Sequence, residues 1–199
     1  MQQVVVIHGG ETFRTPEDCL EYLKNAPLAL EDFQRKGWKS NLPLALGADF
    51  AVFSPRMPNS SNARYAEWKL WFEKVIALMK DGVILVGHSL GGTFLAKYLS
   101  ENRCPKRIRA VFLVAPCYDE ADGREYLGSF LPPRDKQGLI EQGGTLFIYH
   151  SEDDDIVPYS NLADFRRDLP SATIRTFIDR GHFLGEDFPE LVADIKVLG

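Results

Sequence analysis

Residues 83–92 read Val83-Ile84-Leu85-Val86-Gly87-His88-Ser89-Leu90-Gly91-Gly92, an apolar run that breaks at a glycine-flanked serine and continues as a helical pattern to residue 102. The run is apolar at successive positions instead of alternating, as expected of a parallel strand buried on both faces. A serine on the tight turn between strand and helix needs glycine at 87 and 91, because side chains there would collide with neighbouring backbone. Gly92 lets the helix pack closely against the strand. The turn exposes the Ser89 hydroxyl and leaves the Leu90 N–H, at the helix N-terminus, free to face a negative charge.

Outward from this turn, five further β-branched runs occupy residues 3–8, 49–54, 108–115, 145–150 and 172–178. Helical patterns fill residues 16–26, 62–80, 90–102, 159–168 and 188–198. In the clearest, Tyr65, Trp68, Leu70, Trp71, Phe72, Val75, Ile76 and Met79 form one wide apolar stripe. Strands alternating with helices predict a single-domain, doubly wound α/β fold across residues 1–199, with a mostly parallel sheet of about six strands. The one long irregular stretch, residues 116–144, contains Gly123, Gly128, Pro132, Pro133, Gly138, Gly143 and Gly144. A loop of that length reads as a small lid or rim insertion beside a site. No large cap domain is expected.

Composition narrows the function. The 199 residues are 45% hydrophobic and 26% charged, an ordinary globular balance that excludes a disordered chain. A net charge of −5, with no basic cluster longer than Lys106-Arg107-Ile108-Arg109, argues against nucleic acid as a partner. No apolar run approaches the ~18 residues of a membrane span, and the direct opening into a strand-like run predicts no secretory leader. Cys19, Cys104 and Cys117 are odd in number and form no C-x-x-C pair, which predicts a reducing, cytoplasmic setting. Asn59-Ser60-Ser61 matches the glycosylation pattern but reads as loop chemistry without secretion.

All four histidines, His8, His88, His150 and His182, fall at or just beyond the carboxyl ends of these strands, where open parallel sheets bind ligands. A serine hydroxyl is a weak nucleophile, so Ser89 needs a base, and the base needs an orienting acid. His182, in the loop after the last strand, is the candidate base. Four acids follow the strand at 145–150, Glu152 to Asp155, and spacing leaves Asp153, Asp154 and Asp155 all open as the orienting group. The run lacks the ligand alternation of a calcium loop and the donor sets of zinc, so no metal is expected. Gly10, in His8-Gly9-Gly10-Glu11, is the candidate for a second N–H beside that of Leu90. Glu11 sets an acid next to it.

Together, His8-Gly9-Gly10, Gly87-His88-Ser89-Leu90-Gly91, the acids before Ile156-Val157-Pro158, and Gly181-His182-Phe183 resemble the α/β-hydrolase superfamily. More narrowly, Met57-Pro58-Asn59, the helix bearing Glu67-Trp68, and Ser151 through Pro158 resemble the small lidless serine hydrolases of the retinoblastoma-binding-protein type. The resemblance implies that Asp154, four residues before Pro158, is the acid. It also implies a Ser-His-Asp esterase without a cofactor; the lack of room for a large cap domain predicts an open site and a small-molecule ester of small or short-chain acyl group.

Under that expectation Ser89 attacks the acyl carbon, His182 transfers the proton, Asp154 orients His182, and the N–H groups of Gly10 and Leu90 hold the oxyanion. Thioester or amide cleavage would use the same groups. A rival from another class is a binding protein with a relic site that docks partners on Trp38, Trp68 and Trp71.

Overall fold

In the computed structural model, which describes residues 1–34, 36–120 and 126–199, six parallel strands form one sheet. They are β1 (Gln2–Ile7), β2 (Phe50–Phe53), β3 (Val83–His88), β4 (Ile108–Val114), β5 (Thr145–Ser151) and β6 (Thr173–Phe177). The order across the sheet is β2-β1-β3-β4-β5-β6. Every pairing is parallel, so each connection must cross over the sheet, and helices make the crossings.

Strand pleating sorts the core into two layers. Val5 and Ile7 of β1 face one side, where Trp68, Phe72 and Ile76 of α3 (Tyr65–Ala77) and Phe94, Leu95 and Leu99 of α4 (Leu90–Glu101) pack. Leu139 of α5 (Gln137–Gln142) and Phe165 of α6 (Asn161–Asp168) complete that layer. Val4 and Val6 face the other side, against Trp38, Leu42 and Leu46 of α2 (Trp38–Leu46) and Leu191 and Ile195 of α7 (Pro189–Val197). The helix at Pro16–Asn25, α1, stands apart and buries Cys19 alone.

Two expectations change. The stripe of α3 is narrower than its sequence suggests: Trp68, Phe72 and Ile76 are buried at four-residue spacing, whereas Leu70 is 64% and Trp71 42% exposed. The helix meets the sheet along one flank only, so apolar residues beside that line stay in water. Of the three tryptophans that motivate the rival docking surface, Trp38 and Trp68 are core residues, whereas Trp71 is exposed.

Helix α2 was not expected. Pro43 lies inside it and Gly37 precedes it, both of which read as loop signals. Trp38, Leu42 and Leu46, spaced by four, carried the helical signal.

Within residues 116–144, Leu127, Phe130 and Leu139 are buried, and the Phe130 ring meets Trp68 edge-on at 5.1 Å. Gly123 of that stretch lies outside the described residues.

Candidate active site

Strand β3 delivers Ser89 to the centre of the carboxyl edge of the sheet. Its φ of 55° and ψ of −127° put a non-glycine residue in the left-handed half of backbone space, a strain that packing on all sides sustains. The flanking glycines are required as expected: a Cβ on Gly91 would stand 2.3 Å from the Ile7 carbonyl oxygen, and one on Gly87 2.5 Å from that of Gly91. The Ser89 N–H is fixed by the Val114 carbonyl at 2.8 Å. Leu90 opens α4, so its N–H has no acceptor within the helix.

Asp154 is the one buried residue of the acidic run, while Glu152, Asp153 and Asp155 are exposed. Its Oδ1 accepts the backbone N–H groups of Ile156 at 3.0 Å and Val157 at 2.9 Å. Its Oδ2 accepts from His182 Nδ1 at 2.9 Å. These bonds satisfy a carboxylate whose side chain is cut off from water. With Nδ1 occupied, the free nitrogen of His182 is Nε2.

Asp153 faces water yet has work of its own. It accepts the Ser151 hydroxyl at 2.5 Å and the Gly181 N–H at 2.8 Å, and these two bonds hold its carboxyl below the usual range. The neighbouring acids thus divide the loop after β6: Asp153 ties down Gly181 and Asp154 ties down His182.

Four carbonyls of the His182 loop are tethered from below. His88 Nε2 donates to the His182 carbonyl at 2.8 Å, and Trp38 Nε1 donates to that of Phe183 at 2.8 Å. The Trp38 N–H reaches the Gly185 carbonyl at 2.9 Å, and Asn41 Nδ2 that of Glu186 at 3.1 Å. Donation from Nε2 makes Nδ1 of His88 the acceptor, and the Lys39 ammonium supplies its proton at 3.0 Å. Burial, reinforced by Lys39 and His182, pushes His88 well below the usual imidazole range. It is therefore a neutral strut between α2 and the His182 loop.

His8 is structural as well. Its Nε2 accepts the Met57 N–H at 2.9 Å, so Nδ1 is the protonated nitrogen and donates to the Gly9 carbonyl at 2.6 Å. His150 is fully buried.

One cavity of about 510 Å³ gathers Gly9, Gly10, Glu11, Lys39, His88, Ser89 and His182, with Tyr22, Leu23, Ile156 and Leu184 as apolar wall and Ser60 and Ser61 between. The Glu11 N–H is spent on the Ser60 carbonyl at 2.8 Å, whereas the Gly10 N–H makes no hydrogen bond among the described residues. Burial raises the Glu11 carboxyl above its ordinary range, partly offset by attraction to His182. Burial also brings Lys39 down to about 8. Sequence reasoning missed Lys39, Tyr22 and Leu23; only the spacing of Trp38, Leu42 and Leu46 could have brought α2 to the site.

A family model described as serine hydrolase matches residues 30–188. The chain belongs to the serine hydrolase family. This serine hydrolase is similar to YdeN of Bacillus subtilis (strain 168), with 25% identity over 151 residues, 75% of this chain and 78% of YdeN. It is similar to serine hydrolase RBBP9 of Rattus norvegicus, with 26% identity over 149 residues, 74% of this chain and 77% of RBBP9. The crystal structure of the ydeN gene product superposes with a TM-score of 0.78 at 21% identity, covering 100% of this chain and 98% of that one. An esterase domain from a Rhodothermus marinus protein shares the fold at a TM-score of 0.61 and 18% identity, over 100% of this chain and 84% of that one. The family and fold are those of the α/β hydrolases, as the sequence resemblance implied. Among the described residues no helix is long and apolar enough to cross a membrane.

Proposed function

We propose that this serine hydrolase cleaves carboxylic esters of small or short-chain acyl groups through an acyl-enzyme on Ser89. The observation that carries the reading is the bond from His182 Nδ1 to the buried Asp154 carboxylate, on a loop whose imidazole shares a cavity with Ser89. Asp154 fixes the tautomer in which Nε2 is the basic nitrogen. His182 takes the Ser89 proton as the oxygen attacks the acyl carbon, then returns it to the departing alcohol. Water adds to the acyl-enzyme by the reverse proton route and releases the acid. The N–H groups of Leu90 and Gly10 hold the tetrahedral oxyanion, where loss of one donor typically costs about 10²- to 10³-fold in rate.

We further assign it a small-molecule ester as partner, not nucleic acid or membrane, and a reducing, cytoplasmic setting, to which the buried cysteines are suited. Treating the native protein and Ser89→Ala with a fluorophosphonate and weighing both tests the mechanism. Addition to the native protein alone, with hydrolysis of p-nitrophenyl acetate lost in the variant, is the expected result. Equal hydrolysis by both would end the proposal.

A further inference from the structure

Lys39 is the feature of the cavity that ester hydrolysis leaves without a purpose. It reaches the site from α2, on the face of the sheet opposite α4, and its Nζ stands 3.0 Å from His88 Nδ1. The ammonium also lies 4.9 Å from the centroid of the Trp38 ring. It forms no salt bridge among the described residues, although burial penalises its charge. A half-buried ammonium without an anion is costly unless something restores what water supplied.

The local partner does not restore it. His88 is neutral and offers one lone pair, which among the described residues leaves two of the three N–H donors of Lys39 without a protein acceptor. Glu11, the acid of the same cavity, forms no salt bridge with Lys39 among the described residues. Among the described residues the cavity therefore offers a cation with spare donors, Lys39, beside the candidate nucleophile, and apolar walls at Tyr22, Leu23, Ile156 and Leu184.

We propose that Lys39 is a specificity-determining cation that selects an ester bearing a carboxylate, so that the substrate is a half-ester of a dicarboxylic acid or an ester of a hydroxy acid. This rests on the hydrolase reading above. The carboxylate accepts the two spare N–H groups, and the methylene chain between carboxylate and scissile bond lies on the apolar wall. Charge-assisted bonds of this kind set the scale, about 10- to 100-fold in kcat/KM between an anionic substrate and its neutral isostere.

The test compares p-nitrophenyl hydrogen glutarate with p-nitrophenyl pentanoate, and 4-acetoxybenzoate with 4-methylphenyl acetate, on the native protein, Lys39→Met and Lys39→Arg. The first pair carries the charge on the acyl side and the second on the alcohol side. Loss of the His88 contact affects both members of a pair, so the anionic-to-neutral ratio isolates recognition. The expected result is a ratio at least 10-fold higher in the native protein than in Lys39→Met for one of the pairs, largely retained in Lys39→Arg. Ratios that Lys39→Met leaves unchanged overturn the proposal, while neutral-ester turnover would leave the hydrolase reading standing. Protection of Ser89 from the fluorophosphonate by monomethyl glutarate, absent in Lys39→Met, provides the same comparison without turnover. Failure of all four esters together with failure of labelling overturns both readings.

Discussion

Trp38 holds the chain one residue beyond His182, its indole Nε1–H donating to the Phe183 carbonyl at 2.8 Å. Phe183 has a φ of 54°, a conformation that a bulky residue keeps only when its surroundings hold it. Stacking of Phe183 on Phe188 at 5.1 Å secures the side chain, but the carbonyl depends on Trp38. Replacing Trp38 by Phe keeps most of the apolar contact and removes the donor. The expected outcome is a loss of about 1 kcal/mol in stability and roughly tenfold in kcat with KM little changed. Thermal melts and ester kinetics on the same preparation check it; unchanged kcat would show that the remaining three tethers suffice.

The acidic run offers a sharper comparison. Asp154→Asn keeps the shape of the group but turns an amide toward His182, which invites the wrong tautomer, so kcat should fall about 10³- to 10⁴-fold. Asp153→Asn keeps an acceptor for the Ser151 hydroxyl and the Gly181 N–H and should cost less than tenfold. Equal effects of the two substitutions would remove Asp154 from its proposed role.

His150 predicts acid sensitivity. Burial pulls its imidazole down to about 4 from the ordinary 6.5, with Asp154 and the Pro116 carbonyl opposing and His182 adding to the shift. Between those values the unfolded chain takes up a proton that the folded chain refuses, so stability declines as pH falls from 6.5 toward 4. The contribution lost at pH 5 is about 2 kcal/mol. Substituting His150→Leu removes this term, and the drop in melting temperature between pH 7.5 and pH 5 should shrink. A drop of the same size in both proteins would assign the acid sensitivity to other groups.

Gly91 predicts a failure of folding instead of catalysis. A methyl group there would meet the carbonyl oxygens of Ile7 and His8 at 2.3 and 2.5 Å, so β1 would have to separate from the start of α4. Overpacking against backbone at the centre of the sheet should cost more than about 3 kcal/mol in Gly91→Ala. A denaturant titration that gives native stability would show that the turn relaxes more readily than its packing implies.

The six strands and the turn at Ser89 were legible because each rests on local signals, apolar runs and glycine placement, that tertiary contacts reinforce. All six runs became strands, each end matching or shifted by one residue. The choice among three adjacent aspartates was not legible from spacing, because only burial and the N–H groups of Ile156 and Val157 separate Asp154 from its neighbours. Helix α2 was hidden by Pro43, which ordinarily ends a helix, and with it went Lys39 and the tethers from Trp38 and Asn41. Those contacts span 145 residues in the chain for Trp38 to Phe183, a pairing that no local pattern encodes.

Glu11 decides the last prediction. Beside Gly10 an acid reads as a hazard to a developing oxyanion, yet its electrostatic partner in the fold is His182. In the proposed mechanism the imidazole becomes cationic as Ser89 gives up its proton, and a carboxylate nearby favours that change. Because burial raises the Glu11 carboxyl, the benefit exists only above the pH at which this group ionises, higher than for an ordinary glutamate. Glu11→Gln keeps the N–H bond to Ser60 and the side-chain volume while deleting the charge. At pH 8 the variant should hydrolyse a neutral ester about three- to tenfold more slowly, consistent with roughly 1 kcal/mol of screened attraction. The ratio of the two enzymes should return toward one as pH falls and Glu11 becomes protonated in the native protein. A variant faster than the native protein at pH 8 would mean that repulsion of the oxyanion outweighs attraction to the imidazolium.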